Sequence, residues 1–420
     1  MKINNRWFQL AASVVAMIMI ANLQYSWTLF VKPMIVATGW KLSQVQLGFT
    51  LFILFETWMM PASGWFMDKF GPRLFMSAAA VLCAVGWAGM GQAKTLTELY
   101  LLYSLAGFGA ALIYCGSTTV GLKWFPDKLG LSSGLIAAGF GSGTALFNVL
   151  IAYIIRAENY RAAFLYTGVA QGLLIFCAAQ FLVNPAPNDP QILGKKAQSR
   201  FKLRSHAEQF TTLEVLQTPQ FYVLYAIMLM MGIGGLMATV QISSVADTLG
   251  IGKITLSLAI TINLLANGSG RIFWGWVSDH LGRERTMITA FSIQGLALVS
   301  VLRIGNHSPV GFIVCLALVF FTWGEIYSIF PAVSADFFGG RNASSNYSLL
   351  YSSKGMSAIL AGWLAARLFE TTGTWTVVFY GSAGLAFLAA LIAVGLIAMP
   401  LPTKQHGAAP APDAIKSVES

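Results

Sequence analysis

Two basic residues, Arg271 and Lys354, interrupt long segments of the chain that are otherwise uncharged. On membrane-insertion scales an Arg or Lys at the centre of a spanning helix costs about 2.5 to 3.5 kcal/mol, and such residues usually face a cavity or a pathway. An anion that enters and leaves is the partner that such a pair of cations favours.

Arg271 does not stand alone on its segment. Asn263, Asn267 and Arg271 follow one another at intervals of four, which places them on one face of a helix. For the asparagines, contact with a ligand and hydrogen bonding to a neighbouring helix are both open interpretations. For Lys354, the alternative to a ligand is a fixed salt bridge to Glu56 or Glu325.

The composition indicates what positions these residues. Of the 420 residues, 56% are hydrophobic and 10% are charged, far below the roughly 25% charged residues of soluble domains. Apolar stretches of about 20 residues, the length that crosses a bilayer, follow one another along the chain. We predict an all-α membrane protein with twelve transmembrane helices, numbered here as spans 1 to 12: 8–31, 44–67, 74–93, 98–122, 131–155, 162–183, 219–244, 254–278, 286–304, 310–335, 346–368 and 375–399.

The net charge of +10 indicates topology and not a nucleic-acid partner. With both termini in the cytoplasm, the inner loops carry roughly twice as many Lys and Arg residues as the outer loops, as the positive-inside rule requires. We therefore expect a multi-pass protein of the bacterial inner membrane with both termini cytoplasmic.

A motif repeats half a chain length apart. Gly64-Trp65-x-x-Asp68-x-x-Gly71 ends span 2, and Gly275-Trp276-x-x-Asp279-x-x-Gly282 ends span 8. We call 68–73 and 279–283 the latch loops, because an aspartate at a helix end beside Arg73 or Arg283 can hold neighbouring helix ends together in one state. The duplication predicts two parallel six-helix repeats.

The polar stretches predict four regions. These are an N-terminal half (1–183), a cytoplasmic linker (184–218), a C-terminal half (219–399) and a disordered cytoplasmic tail (400–420). Within the linker, 211–217 is expected to form a short surface helix.

The latch loops resemble the signature of the major facilitator superfamily, and several further segments resemble its oxalate:formate antiporter family. These segments are Asn5-Arg6-Trp7-Phe8, Gln24-Tyr25-Ser26-Trp27-Thr28-Leu29, Trp124-Phe125-Pro126-Asp127-Lys128, Thr218-Pro219-Gln220-Phe221, Phe273-Trp274-Gly275 and Phe321-Thr322-Trp323-Gly324. The resemblance implies that Arg271 and Lys354 bind substrate carboxylates. It also implies a surrounding cage formed by Gln24, Tyr25, Gln46, Tyr114, Phe140, Asn267, Trp323 and Tyr327.

Three positions depart from the family pattern. Phe140 stands where the family has a cavity tyrosine, Glu56 replaces a neutral amide, and Glu325 replaces a small residue. If both glutamates are ionised near the cations, the site loses its net positive charge, which suits a monocarboxylate better than a dianion.

Together these features predict a secondary transporter of small carboxylates, an anion exchanger of the oxalate:formate type that works by alternating access. One alternative is a proton-coupled monocarboxylate symporter that uses Glu56 or Glu325, and another is a membrane sensor without transport. We expect no enzyme activity, metal or cofactor, since no catalytic or metal-ligand cluster is apparent. The expected partners are small carboxylates, the lipid bilayer and, for the symporter, protons; we expect a functional monomer.

Overall fold

The computed structural model describes residues 5–40, 42–186, 208–305 and 307–404, and within these ranges all regular secondary structure is helical. In chain order the helices of the N-terminal part are α1 (Arg6–Tyr25), α2 (Trp27–Thr38), α3 (Leu42–Trp58), α4 (Met60–Phe70), α5 (Pro72–Met90), α6 (Leu96–Trp124), α7 (Leu129–Ala157) and α8 (Tyr160–Phe181). They are followed by α9 (Thr212–Leu216), α10 (Pro219–Thr248), α11 (Lys253–Leu281), α12 (Arg283–Arg303), α13 (Pro309–Trp323), α14 (Ile326–Phe338), α15 (Ala343–Tyr351), α16 (Ser353–Ile359), a π-helical turn (Leu360–Leu364), α17 (Ala365–Thr372) and α18 (Thr376–Ala398).

These helices account for all twelve predicted spans. Spans 1, 2, 10 and 11, which the sequence suggested were continuous, are each broken near their middle, at Ser26, at Met59, at 324–325 and at Ser352. Pro61 explains the second break, because it lacks the N–H that would continue the helical ladder. Broken helices at membrane depth are tolerated where they are buried in protein or line a cavity.

Nine helices of the described chain are long and apolar enough to cross a membrane by length and composition. The spans that fall short of this criterion are 42–70, 253–281 and 343–372, and they carry Glu56, Arg271 and Lys354. Two of these spans, 42–70 and 343–372, fall short because breaks divide them into helices of 17 residues or fewer.

The two halves repeat the same packing. In the first half, span 3 packs on spans 4 and 6, span 2 on span 4, and span 1 on span 5; in the second half, the corresponding pairs are 9 with 10 and 12, 8 with 10, and 7 with 11. The latch loops repeat in detail, since Gly71 and Gly282 both adopt positive φ, at 75° and 95°. A side chain at either position is strained, which accounts for the glycine in both copies of the motif.

The halves meet through spans 5 and 8, spans 2 and 11, and spans 4 and 5 with span 10. Gly130 of α7 and Gly275 of α11 lie so close that a Cβ on either residue would collide with the backbone of the other. Glycine at these two positions therefore permits the close crossing of spans 5 and 8.

The predicted surface helix at 211–217 is confirmed as α9, which begins with a capping box formed by Thr211 and Glu214. The Thr211 N–H and the Lys404 ammonium hold the pKa of the Glu214 carboxyl below its usual range. The disordered-tail prediction falls mostly on 405–420, outside the described residues, whereas Lys404 is bound to α9.

Candidate functional site at the interface of the two halves

Lys354, on α16, lies at the interface of the two halves and is 3% exposed. Its ammonium donates to both carboxylate oxygens of Glu56 on α3, at 3.0 and 3.1 Å, to the Gln24 amide oxygen at 3.4 Å, and to the Tyr351 hydroxyl at 3.0 Å. The Tyr351 hydroxyl also donates to Glu56, at 3.3 Å. Of the two salt bridges considered for Lys354, the structure contains the one with Glu56.

Arg271, on α11, is 1% exposed and also reaches across the interface. Its Nε donates to Asn267 Oδ1 at 3.0 Å, and its Nη1 donates to the backbone carbonyl of Ala137 on α7 at 2.7 Å. The guanidinium lies 4.4 Å from the ring centroid of Tyr327 and interacts with the Tyr25 hydroxyl. Within the described chain no carboxylate pairs with Arg271.

Asn267 combines both roles left open for the asparagines. Its side-chain oxygen accepts from Arg271, and its nitrogen donates to the carbonyl of Phe320 on α13 at 3.2 Å. The residue therefore orients the guanidinium while joining span 8 to span 10. Asn263, 2% exposed, has no hydrogen-bond partner for either amide atom among the described residues.

Aromatic rings surround the two cations in a continuous series. Tyr25 contacts Phe140, Phe140 contacts Tyr114, and Tyr114 contacts Tyr351 across the interface, with centroid distances of 5.4, 5.6 and 4.8 Å. The series continues on span 10, where Tyr327 lies 6.2 Å from Tyr351 and 5.5 Å from Trp323. We call these rings, with Gln24, Glu56, Asn267, Arg271 and Lys354, the central site.

Some donors of the central site have no protein partner. The hydroxyl of Tyr327 and the indole Nε1 of Trp323 are buried and form no hydrogen bond with any described residue, whereas the Tyr114 hydroxyl interacts with that of Tyr347. Buried polar groups are nearly always satisfied, so such orphan donors call for an explanation. Phenol and indole N–H groups suit a ligand that presents only acceptors, such as a carboxylate.

Glu325 differs from Glu56 in its surroundings. It lies at the break between α13 and α14, is fully buried, and neither of its carboxylate oxygens has a hydrogen-bond partner among the described residues. It also forms no ion pair there, so the salt bridge between Glu325 and Lys354 that the sequence left open is not formed.

Most residues expected from the sequence meet in the central site, and two more belong with them. The backbone of Gln46 lies in α3, but its side chain is outside the described part of the chain. Tyr351 was not predicted, although it precedes Lys354 by three residues and so shares its helix face. Tyr347, 1% exposed and 5.8 Å from the Tyr351 ring, was also missed, and a tyrosine four residues before another was the available signal.

The second latch loop lies at one end of the bundle and joins the two halves. The Asp279 carboxylate accepts from the N–H groups of Gly130 and Leu131, in the first turn of α7, at 2.9 and 2.8 Å. Arg283 Nη1 donates to Asp279 at 2.6 Å and its Nε donates to Asp336 at 2.9 Å. A carboxylate at a helix N-terminus is stabilised by the free N–H groups and the helix dipole.

The first latch loop is described less completely. Arg73 is exposed in the first turn of α5, and the Asp68 side chain lies outside the described residues. Cys115 of α6, which follows Tyr114 in the chain, contacts the Ser348 hydroxyl of α15, with the sulfur 3.6 Å from the oxygen. This is a further contact between the two halves.

Within the described chain no group of three His, Cys, Asp or Glu side chains could hold a metal ion.

The model of the Major Facilitator Superfamily matches residues 12–242 and 222–419, nearly the whole chain. The protein is therefore a multi-pass membrane transporter of this superfamily and not an enzyme.

Comparison with curated proteins narrows the class. The chain is 36% identical to an oxalate:formate antiporter of Oxalobacter formigenes over 94% of its own length and 92% of the relative's length. The chain belongs to the oxalate:formate antiporter family of the superfamily. It is also 25% identical to apicoplast pyruvate carrier 1 of Toxoplasma gondii, over 88% of this chain and 76% of that protein.

More distant similarities agree with this assignment. Monocarboxylate transporter 12 of Xenopus laevis is 24% identical over 80% of this chain and 76% of that protein. A solved proton:xylose symporter of the superfamily superposes with a TM-score of 0.69, covering 93% of this chain and 94% of that one, at 12% identity. The last likeness concerns the fold alone.

Proposed function

We propose that the protein exchanges small carboxylates across the bacterial inner membrane by alternating access. The observation that carries this proposal is that Arg271 and Lys354, both on the C-terminal half, bind partners on the N-terminal half inside an aromatic site. A substrate carboxylate can replace the Ala137 carbonyl at Arg271 and accept from the unpartnered phenol and indole groups.

The moving units in this proposal are the halves 1–183 and 219–399, joined by the linker 184–218. Both termini face the cytoplasm, and a single chain carries the whole site. Burial of Arg271 without an anionic partner is costly, so a bound anion stabilises the state in which the halves meet around it. Exchange is therefore favoured over net flux. The 36% identity to an oxalate:formate antiporter supports the substrate class.

Counterflow in proteoliposomes tests the proposal. Purified protein is reconstituted with unlabelled oxalate, formate, lactate or pyruvate inside, and uptake of the labelled acid is measured. We expect rapid exchange of at least one short carboxylate. A folded protein that exchanges none of them would contradict the proposal; if it still bound such an acid in a thermal-shift assay, it would be the sensor considered above.

The same vesicles decide between exchange and proton symport. A symporter accumulates a monocarboxylate in vesicles that contain no counter-substrate when an inward proton gradient is imposed. An exchanger requires internal carboxylate under the same conditions, and this dependence is the result that we expect.

A further inference from the structure

The net positive charge of the central site is too small to neutralise a dianion. An ammonium has three N–H donors, and those of Lys354 face Glu56, Gln24 and Tyr351. Glu56 is 1% exposed and uses both oxygens on Lys354, so the pair is buried and in close contact. Lys354 and Glu56 together contribute no net charge.

Arg271 is the cation that remains. Its partners are an amide oxygen, a backbone carbonyl, a phenol and an aromatic face, all of them uncharged. Glu325, the other buried acid close in sequence to the site residues, forms no ion pair with either cation in the described chain. Among the residues that the structure describes, the central site therefore offers one uncompensated positive charge.

The remaining donors can solvate an anion but cannot neutralise it. Tyr327, whose ring lies near both cations, and Trp323 beside it supply neutral O–H and N–H groups. One carboxylate is matched by Arg271 together with these donors. A second carboxylate could reach a cation only by displacing Glu56 from Lys354, which would leave Glu56 buried and unpaired.

We propose that Glu56 determines the charge of the substrate: by neutralising Lys354 it makes the site select monocarboxylates over dicarboxylates. The inference rests on the proposed function, since it names the substrate class of that same site. It also distinguishes the roles of the two cations. Arg271 binds the substrate, whereas Lys354 is paired with Glu56 and becomes available to a substrate only when Glu56 is substituted.

The test is competition in reconstituted vesicles, with the initial exchange rates of formate or lactate compared with that of oxalate. We expect wild-type protein to prefer the monocarboxylate by about tenfold or more. Glu56→Gln frees Lys354 and should move the ratio at least about tenfold towards oxalate. Glu56→Asp keeps the charge and should retain the preference for the monocarboxylate, as should the buried control Glu325→Gln.

A double variant, Glu56→Gln with Lys354→Gln, removes both charges of the pair and keeps one free cation, so it should still prefer the monocarboxylate. If Glu56→Gln alone does not fold because Lys354 is unpaired, the double variant still tests whether one free cation selects monocarboxylates. A wild-type preference for oxalate, an unchanged ratio in folded Glu56→Gln, or an oxalate preference in the double variant would overturn the inference. Wild-type protein that exchanges neither class of acid would instead overturn the proposed function, and the inference with it.

Discussion

At the scale of single residues, the site is distinguished by which carboxylate meets which cation. Glu56 and Glu325 are both fully buried acids on helices that contribute to the central site, and sequence gave no means of ranking them as partners of Lys354. The structure pairs Lys354 with Glu56 at 3.0 Å and leaves Glu325 unpaired in the described chain. We therefore expect substitution of Glu56 to change the substrate preference and substitution of Glu325 to leave it unchanged.

Substitution of Arg271 is expected to have the largest effect on exchange. Arg271→Lys keeps the charge but loses the planar group that contacts Asn267, Ala137 and the Tyr327 ring together. Loss of a hydrogen bond from a charged group costs about 1.5 to 3 kcal/mol, which corresponds to at least about a tenfold lower exchange rate. Counterflow measures the rate, and Arg303→Lys, an exposed arginine that contacts the Tyr380 hydroxyl, is the matched control. A rate near that of wild type for Arg271→Lys would contradict the role given to Arg271.

Glu325→Gln is expected to leave carboxylate exchange within about twofold of wild type. The substitution keeps the size of the side chain and removes no ion pair or hydrogen bond of the described chain. Exchange and accumulation driven by a proton gradient should be measured on the same vesicles. Intact exchange with lost proton-driven accumulation would identify Glu325 as the proton carrier of the symporter alternative.

At the scale of helices, the glycines of α7 divide between two neighbours. Gly139 and Gly143 face α1 in their own half, whereas Gly134 and Gly141 face α11 in the other half. A small-xxx-small spacing in a sequence predicts close packing but does not name the neighbour. Gly141 is the member of this set that makes room for the Arg271 side chain.

Gly141→Ala is therefore expected to lower exchange by about tenfold or more. A Cβ at this position would lie 2.8 Å from Asn267 Oδ1 and 3.0 Å from Arg271 Nε, so the guanidinium would have to move. Displacement of a binding group by a fraction of an ångström reduces function strongly. Gly384→Ala is the control, because its Cβ would meet no described atom within 4 Å and alanine favours a helix. Equal exchange rates for the two variants would show that Gly141 does not hold the geometry of the site.

At the scale of the whole molecule, the second latch loop links the halves at the end that we assign to the cytoplasm. Asp279 caps α7 of the N-terminal half and is itself held by Arg283, which also binds Asp336. The motif in the sequence identified these residues, but the identity of the capped helix depends on how the two halves meet.

Asp279→Asn should favour opening of this end of the bundle. The substitution replaces one of the two accepting oxygens by an NH2 donor, which cannot accept from the α7 N–H groups, and it removes the charge that pairs with Arg283. Loss of a charge-assisted hydrogen bond costs about 1.5 to 3 kcal/mol, so the open population should rise by about tenfold or more. The rate of N-ethylmaleimide labelling of Cys115, in protein whose other three cysteines are alanine, reports this opening. Asp247→Asn, at an exposed position, should not change the rate, and an unchanged rate for Asp279→Asn would contradict the latch.

The sequence by itself determined the class of protein. Apolar length, the repeated latch loops and the basic bias of alternate loops predicted twelve helices in two repeats, because lipid requires internally hydrogen-bonded helices. The free-energy cost of burying a charge likewise identified Arg271 and Lys354 as candidate anion-binding residues, because both interrupt apolar segments. Only the tertiary structure decided that Lys354 pairs with Glu56, that Tyr351 joins this pair, and that no carboxylate among the described residues pairs with Arg271. These features depend on contacts between helices from opposite halves, which local sequence patterns do not encode.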